Sequence, residues 1–259
     1  MSTIALITGA SSGLGRELVK QIDSGAFCHV DEIWAVARRA DRLEALVRTC
    51  ATPVRPFCLD LTDPMSFDIL EAALAETEGA RVVLLANNAG CGTFGSFAGQ
   101  KPADADRMVS LLMRAPVELI YCVLPYMAAG SRILNVSSVA AFVPQPGLSV
   151  YSAAKRFVLD FSRSLDAELG DVGIHVTAVC PKFMETEFFE GAGDADCMRR
   201  MRAAIGDERV SDVAAAALAA AREGRGLCIP SVDMRVLYAV ARVAPYRLAL
   251  AAERALGVI

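Results

Sequence analysis

The chain has 259 residues, a formal net charge of −4 and a pI near 5.3. The acidic balance gives no support to nucleic-acid binding, which calls for a basic face, and a hydrophobic content of 54% excludes wholesale disorder. Because the eight cysteines include no C-x-x-C pair, the sequence predicts no metal site and a reducing, cytoplasmic environment.

Short apolar runs rich in β-branched residues alternate with longer segments of helical periodicity. The runs predict seven strands: Thr3–Thr8, Glu32–Ala37, Val54–Leu59, Arg81–Ala86, Arg132–Ser137, Gly173–Val179 and Leu227–Pro230. The segments between them predict helices: Gly13–Ser24, Asp41–Cys50, Pro64–Thr77, Ala103–Met127, Ser149–Leu169 and Ser211–Glu223. Continuous apolar strands separated by helices indicate a parallel sheet covered on both faces. One domain over residues 1–259 is therefore expected, with a doubly wound α/β sheet in three layers.

Two regions lie outside this alternation. Most of the segment 181–210 shows no clear pattern, and long irregular segments in compact domains are often lids. The tail 233–259 is apolar and carries arginines, and Pro245 splits it into two helical stretches. The tail can pack on its own domain or on a partner subunit, or it can lie on a membrane surface. No charge-free apolar stretch of about twenty residues occurs, so no membrane span is expected, and no basic leader precedes the first strand.

The first predicted strand leads into a glycine-rich turn that opens the first helix, Thr8-Gly-Ala-Ser-Ser-Gly-Leu-Gly15. Its glycines permit a tight turn, let a phosphate approach the backbone, and let the helix pack close to the sheet. The helix N-terminus offers free N–H groups to a pyrophosphate. A dinucleotide site is therefore predicted from Gly9, Ser11, Ser12, Gly13, Leu14 and Gly15.

The end of the second predicted strand bears on the choice of dinucleotide. An Asp or Glu there would hydrogen-bond the ribose 2′-hydroxyl and select NAD(H), but the sequence contains no acid until Asp41. Arg38 can bind a 2′-phosphate through planar, charge-assisted contacts, and Arg39 is the alternative. NADP(H) is therefore the preferred cofactor and NAD(H) a possible one. The structural alternative is a pair of solvated arginines at a helix start.

Tyr151 and Lys155 lie four residues apart on one predicted helix, and Ser138 directly follows the fifth strand. Residues i and i+4 share a helix face. A Lys ammonium beside a Tyr hydroxyl would favour the phenolate and lower the Tyr pKa from its usual value of about 10. A phenol tuned in this way can give a proton to a developing alkoxide or take one from an alcohol.

Together these segments resemble the short-chain dehydrogenases/reductases of the single-domain kind. The resemblance covers nearly the whole chain, in the family's order, through Thr8–Gly15, Asp60 in Leu-Asp-Leu-Thr, Asn87-Asn-Ala-Gly90, Asn135–Ser138, Tyr151–Lys155 and Val179-Cys-Pro181. It implies a Rossmann-like fold, a nicotinamide cofactor, and reversible hydride transfer between a carbonyl and an alcohol.

The resemblance also implies which residues hold the adenosine half of the cofactor. Asp60 and Leu61 would bound the adenine. Asn87 would lie beside the adenosine ribose, and Ala89 and Gly90 would allow the backbone close to the cofactor.

At the chemical end, the resemblance implies that Ser138 hydrogen-bonds the substrate oxygen and that Tyr151 is the general acid in reduction. Lys155 would lower the Tyr151 pKa and hydrogen-bond the nicotinamide ribose. Pro181 would border the cofactor after the sixth strand, and Thr186 would meet the nicotinamide carboxamide.

Two positions depart from the family pattern. Where many members have an Asn that supports a water relay, this chain has Leu112, and no Asn occurs in Ala103–Met127. Leucine cannot hold a water, so the relay must be changed or shortened. The usual Pro-Gly after the sixth strand is Pro181-Lys182. Lys182 can reshape the site, reach an anionic group of the substrate, or point to solvent.

The predicted substrate site combines Ser138 and Tyr151 with apolar walls from Phe94, Val143, Phe183 and Met184, which suit an apolar ketone or alcohol. The expected function is NADP(H)-dependent carbonyl reduction or alcohol oxidation of a small molecule. The alternatives are a dinucleotide-binding sensor without useful catalysis, and a membrane-surface reductase of lipids or 3-oxoacyl groups. Because family members pair through the helices here predicted at Ala103–Met127 and Ser149–Leu169, a homo-oligomer is expected, either a dimer or a tetramer.

Overall fold

A computed structural model describes residues 2–189 and 193–255. Within these ranges the strands are β1 Ser2–Thr8, β2 Glu32–Ala37, β3 Val54–Cys58, β4 Ala80–Asn87, β5 Arg132–Val136, β6 His175–Val179, β7 Phe183–Met184, β8 Asp207–Glu208 and β9 Leu227–Cys228. The α-helices are α1 Gly13–Asp23, α2 Ala40–Thr49, α3 Met65–Glu76, α4 Pro102–Val109, α5 Ala115–Val123, α6 Ser149–Leu169, α7 Ala195–Ile205, α8 Val210–Arg222, α9 Val232–Ala241 and α10 Tyr246–Ala255.

The predicted doubly wound, seven-stranded parallel sheet is confirmed. Its strand order is β3-β2-β1-β4-β5-β6-β9, and every neighbouring pair is parallel. The chain builds outward from β1 to β3 and then returns to place β4 on the other side of β1. The carboxyl ends of β1 and β4 therefore border the point where the winding reverses, where α/β sheets leave a ligand crevice.

Both faces of the sheet are buried, which explains why its strands are continuous apolar runs. In β1, Ala5 and Ile7 face a core that α1, α2 and α8 complete, while Ile4 and Leu6 face a second core completed by α3 and α5. All four side chains are fully buried. Successive strand residues point to opposite faces, so one apolar strand contributes to both cores and fixes the three-layer architecture.

The segment 181–210 is more ordered than its sequence indicates. After β7 and a short 3₁₀ turn at Glu187–Phe189 comes α7, and β8 then pairs with β7. The Asp194 side chain caps α7 by accepting hydrogen bonds from the backbone N–H groups of Asp196 and Cys197, each 3.0 Å long. Cys197 and Met201, four residues apart, form its buried face. The expectation of no regular structure was wrong for this helix.

The long helix predicted at Ala103–Met127 extends from Pro102 to Tyr126 and includes a π-helical turn at Ser110–Arg114. In that turn the Ala115 N–H bonds to the carbonyl of Ser110, five residues back. By length and composition alone this helix could cross a membrane, but half of its most apolar window is buried inside the domain. Burial of this extent is what a core helix shows. The π turn locally widens the helix at the Leu112 position.

The tail forms the predicted pair of helices around Pro245, and α9 packs on the domain. Met234 is buried, and the Tyr238 ring lies 4.8 Å from the ring of Phe142. The remainder of the predicted tail, residues 256–259, lies outside the described residues, as do residues 190–192 of the segment 181–210.

Candidate active site

At the glycine-rich turn, hydrogen bonds connect the end of β1 to the residues that follow β4. Backbone N–H groups of Asn88 and Ala89 both donate to Thr8 Oγ1 at 2.9 Å, and Asn88 Nδ2 donates to the Thr8 carbonyl at 2.9 Å. Gly9 has a φ of +68°, and a Cβ there would lie 2.7 Å from Asn88 Nδ2. At Gly15 a Cβ would overlap the carbonyl of Gly9. A side chain is therefore excluded at Gly9 and at Gly15.

A cleft of about 750 Å³ starts at this turn and continues to Tyr151. It brings together most of the residues that the sequence singles out. The predicted residues that line it are Gly9, Ser11, Ser12, Gly13, Leu14, Arg38, Arg39, Asp60, Leu61, Ala89, Gly90, Phe94, Ser138, Val143, Tyr151, Lys155, Pro181, Phe183, Met184 and Thr186. The Lys182 side chain and two residues of α9, Met234 and Leu237, also line it.

Asn87 and Gly15 do not line the cleft. The Asn87 side chain is buried behind it, where its Nδ2 donates to Asn135 Oδ1 at 2.9 Å. Because strand residues alternate in direction, it is Asn88 that faces the cleft. The Asn87 side chain therefore does not border the cleft in which the ribose is expected. Gly15 instead allows α1 to pack against the turn.

A cluster of arginines and serines with one carboxylate lies at the end of the cleft beside the glycine-rich turn. Arg39 donates to the hydroxyls of Ser11 and Ser12 at 3.0 and 2.7 Å, and to Glu187 at 2.6 Å. Arg42, one helical turn further along α2, donates to both oxygens of Glu187 at 2.7 and 2.8 Å. These hydrogen bonds, from Arg39 first and then from Arg42, hold the pKa of the Glu187 carboxyl below its usual value.

The other arginine considered at this end, Arg38, is directed differently. Its side chain is 58% exposed and lies 3.9 Å from a carboxylate oxygen of Asp60. Asp60 in turn accepts hydrogen bonds from the N–H and hydroxyl of Thr62. Neither Arg42 nor Glu187 was predicted from the sequence. The i+3 spacing of Arg42 from Arg39 could have indicated it, whereas the sequence carries no signal for Glu187.

Ser138, Tyr151 and Lys155 meet at the opposite end of the cleft. Ser138 caps a 3₁₀ turn after β5, and its Oγ accepts the N–H of Ala140 at 3.1 Å. Neighbouring Ser137 is buried and structural, because its hydroxyl donates to the Lys155 carbonyl at 2.7 Å and fixes α6 to the strand end. Tyr151 and Lys155 lie on the face of α6 that this contact turns toward the cleft.

Burial shifts the pKa values of both Tyr151 and Lys155. Lys155 Nζ donates to the Val136 carbonyl at 2.7 Å and lies 5.7 Å from the centre of the Tyr151 ring. Burial raises the pKa of Tyr151, and the adjacent Ser138 hydroxyl only partly opposes this. Burial lowers the pKa of Lys155 to about 8. In the chain alone, burial thus shifts the Tyr151 pKa upward, opposite to the expected direction.

The two departures from the family pattern also have defined places. Leu112 is 1% exposed and packs in an apolar cluster with Met108 and Tyr151, so the usual relay position is dry and apolar. Lys182 does not point to open solvent, because its Nζ donates to Asp233 at 2.9 Å and its side chain, which also lines the cleft, is only 12% exposed. It connects the start of the segment 181–210 to α9.

Apolar side chains close the cleft around Tyr151. The rings of Phe94 and Phe183 stack with their centres 6.3 Å apart, and the Phe188 ring meets the Tyr151 ring edge-on at 6.1 Å. A Cβ on Gly92 would lie 3.2 Å from the Tyr151 ring, so this glycine leaves room for the phenol. The end of the cleft that holds the proton donor is therefore apolar.

Comparison with known proteins agrees with this arrangement. The short chain dehydrogenase family profile matches residues 3–196. Sulfoacetaldehyde reductase 2 of Chromohalobacter salexigens is 35% identical over 201 residues, which cover 73% of this chain and 75% of the relative. A short-chain dehydrogenase from Sphingobium yanoikuyae in complex with NADPH has 30% identity and a TM-score of 0.77, covering 98% of this chain and 96% of that one.

The bulky-bulky ketone specific alcohol dehydrogenase from Comamonas testosteroni is similar too, with 28% identity, a TM-score of 0.72, and coverage of 93% and 92% of the two chains. The matched region includes the glycine-rich turn, strands β1 to β6 of the sheet and the Ser138–Tyr151–Lys155 set that the structure brings into one cleft. On this combined ground the chain belongs to the short-chain dehydrogenase family of NAD(P)-dependent oxidoreductases.

Proposed function

We propose that the chain is an NADP(H)-preferring carbonyl reductase for apolar ketones, with Tyr151 as the general acid. The observation that carries this proposal is the arrangement of the cleft. A proton-bearing tyrosine with its serine and lysine lies at one end, and an arginine- and serine-lined glycine turn lies at the other. The reverse reaction, oxidation of the alcohol, uses the same groups.

The residues present fit a nicotinamide dinucleotide. The turn at Gly9–Gly15 excludes a side chain at Gly9 and at Gly15, and the start of α1 offers backbone N–H groups to a pyrophosphate. Beside the end of β2, Arg39 with Ser11 and Ser12 suits a 2′-phosphate, and the chain has no acid between Ala37 and Asp41 that would select a free 2′-hydroxyl. Arg38 remains available beside them. The cofactor supplies the hydride when it is bound.

The protein's own task is to orient the substrate and to supply a proton. Ser138 would hold the carbonyl oxygen, and Tyr151 would give its proton to that oxygen as negative charge develops. The raised pKa of Tyr151 keeps this proton in place until the alkoxide forms. Lys155, held by the Val136 carbonyl, would place positive charge beside the phenolate that results.

The proton must then be replaced by a route other than the usual one. Leu112 and the residues that cluster with it beside Tyr151, such as Met108 and Met113, are apolar and cannot carry a proton. We therefore assign replacement to the side of Lys155 that faces the open cleft. The intact Ser138–Tyr151–Lys155 set disfavours a non-catalytic sensor, because binding of the cofactor alone needs no buried tyrosine acid.

The apolar walls support a ketone with bulky hydrocarbon groups. Phe94, Phe183, Met184 and Val143 line the cleft beside Tyr151, and the similar alcohol dehydrogenase from Comamonas testosteroni is specific for bulky-bulky ketones. The segment 181–210 would be the lid over this end. We also propose that the protein is cytoplasmic and forms a homo-oligomer.

The test is NADPH oxidation over a panel of apolar ketones, with NADH, 3-oxoacyl thioesters and steroids run beside them. Tyr151→Phe should lower kcat by on the order of a hundredfold or more, because it removes the proton donor, while NADPH still binds. Tyr246→Phe, at a residue that is 55% exposed, is the matched control and should remain active. Equal turnover by Tyr151→Phe and wild type would refute the proposed acid.

A further inference from the structure

Glu187 occupies the place where the cofactor's 2′-phosphate is expected. Its carboxylate accepts hydrogen bonds from Arg39 at 2.6 Å and from Arg42 at 2.7 and 2.8 Å. The same Arg39 guanidinium donates to the hydroxyls of Ser11 and Ser12. Two guanidinium groups hold one anion, and one of them is itself fixed by two hydroxyls, which is the kind of charge-assisted, partly bidentate site that suits a phosphate.

The anion in this site comes from a distant part of the chain. Arg39 and Arg42 lie at the start of α2, while Glu187 lies 145 or more positions later, in the segment 181–210. Among the residues described between β7 and α7, Glu187 is the acid that pairs with these arginines. The ion pairs thus fasten the segment 181–210 across the adenosine end of the cleft.

The same short segment also contacts the chemical end. Next to Glu187, Phe188 meets the Tyr151 ring edge-on, with ring centres 6.1 Å apart. On its other side, the Thr186 side chain lies so close to the glycine turn that a Cβ on Gly13 would be 3.0 Å from it. A displacement of Glu187 would therefore move residues that touch both the turn and the tyrosine.

We propose that Glu187 is a cofactor-specificity residue, which holds Arg39 and Arg42 in the free protein and is displaced from them by the 2′-phosphate of NADP(H). NAD(H) lacks that phosphate and leaves Glu187 in place. This inference rests on the proposed preference for NADP(H). Its consequence is that Glu187 weakens NADP(H) binding relative to NAD(H), and that only the phosphorylated cofactor releases the segment 181–210 from α2.

The electrostatics of the free protein agree with this role. Hydrogen bonds from Arg39 and Arg42 lower the pKa of Glu187, so it is a full negative charge at neutral pH and competes directly with a phosphate. Its side chain is 38% exposed, and those of Arg39 and Arg42 are 40% and 34% exposed. Exchange of one anion for another at such a partly solvated site is feasible, because exposed ion pairs are individually weak.

The experiment uses the adenosine half of the cofactor alone. Isothermal titration at fixed, low ionic strength measures the Kd of 2′,5′-ADP and of 5′-AMP for wild type and Glu187→Gln. Removing the competing charge should tighten 2′,5′-ADP binding roughly threefold to tenfold and leave 5′-AMP binding unchanged. Glu185→Gln is the matched control: its side chain is 87% exposed, and its ion pair, at 3.8 Å, is with Arg202 instead. It should change neither Kd.

Hydrogen exchange provides a second readout, in the wild type and in Glu187→Gln. In wild type, 2′,5′-ADP should accelerate amide exchange in residues 181–189, and 5′-AMP should not. In Glu187→Gln the exchange should already be fast and should not respond to 2′,5′-ADP.

The outcomes separate the two proposals. If wild type favours 2′,5′-ADP over 5′-AMP but Glu187→Gln binds 2′,5′-ADP equally or more weakly, the role of Glu187 is refuted and the NADP(H) preference stands. If wild type binds both ligands alike, the NADP(H) preference fails and the inference fails with it.

Discussion

At the scale of one residue, the buried Lys155 of the candidate site lowers the stability of the folded protein. Its side chain is 4% exposed, and its described hydrogen bond is to the carbonyl of Val136. Burial lowers its pKa from 10.5 to about 8. Since the unfolded chain binds this proton more tightly than the folded chain, the lysine destabilises the native state wherever it is charged in both.

Replacing Lys155 with methionine tests this cost. Below about pH 8 the lysine is protonated in both states and the penalty, on the order of 3 kcal/mol, is fully present. Between about pH 8 and pH 10.5 the native state loses its proton first, so the penalty fades and the wild type gains stability relative to Lys155→Met. We expect the difference in unfolding free energy between variant and wild type to fall by roughly 2–3 kcal/mol from pH 7 to pH 10.

Urea unfolding at the two pH values measures this difference, and groups common to both proteins cancel. Lys101→Met, which removes an exposed lysine, is the matched control. A difference for Lys155→Met that stays constant across this pH range would show that burial does not shift the lysine.

At the scale of elements, the long helix Pro102–Tyr126 carries the clearest departure from its family. Its π turn at Ser110–Arg114 places Leu112 against Gly90 and the cluster around Tyr151. A Cβ on Gly90 would lie 3.2 Å from the Leu112 side chain, so the contact is already close. The apolar residue thus fills the space that a polar relay would need.

Leu112→Asn should therefore destabilise the protein without increasing turnover. A buried amide that finds no partner costs about 1–3 kcal/mol, and the lost apolar packing adds to it. Leu112→Met conserves volume and should cost less than about 1.5 kcal/mol. Chemical unfolding and kcat are measured on both variants. A higher kcat for Leu112→Asn at unchanged stability would instead mean that the amide finds polar partners and restores a relay.

The elements that the sequence predicts well are those whose pattern is local. The strands are apolar on both faces, so their runs are unmistakable, and α6 has the predicted bounds, Ser149–Leu169. In contrast, α7 buries only Cys197 and Met201, too few apolar positions to reveal its period. Glu187 was not predictable at all, because its partners lie far away in sequence and come together only through the fold. Which of the neighbouring residues Asn87 and Asn88 borders the cleft depends on how the end of β4 is oriented, and the sequence does not specify that orientation.

At the scale of the whole molecule, two of the exposed apolar surfaces on the described residues bear on assembly. The first lies on the helix Pro102–Tyr126, where Val109 and Tyr121 are 44% and 72% exposed. The second is a stripe on α9 and the residues after it, formed by Val232, Val236, Val240 and Val243 at helical spacing. Family members pair through the helices that follow the fourth and fifth strands, so the first surface is the proposed subunit interface.

A charge introduced into each surface distinguishes between them. If the proposed homo-oligomer pairs through the first surface, Tyr121→Glu should give smaller species in sedimentation velocity, because burying an unpaired carboxylate in an interface is costly. It should leave the fold intact, since the side chain is largely exposed in the single chain. Val236→Glu, at a position that is 60% exposed on α9, is the matched variant and should leave the assembly unchanged. If Val236→Glu dissociates the protein and Tyr121→Glu does not, the subunits pair through the tail. In that case α9, which also borders the cleft through Met234 and Leu237, would connect the active sites of neighbouring subunits.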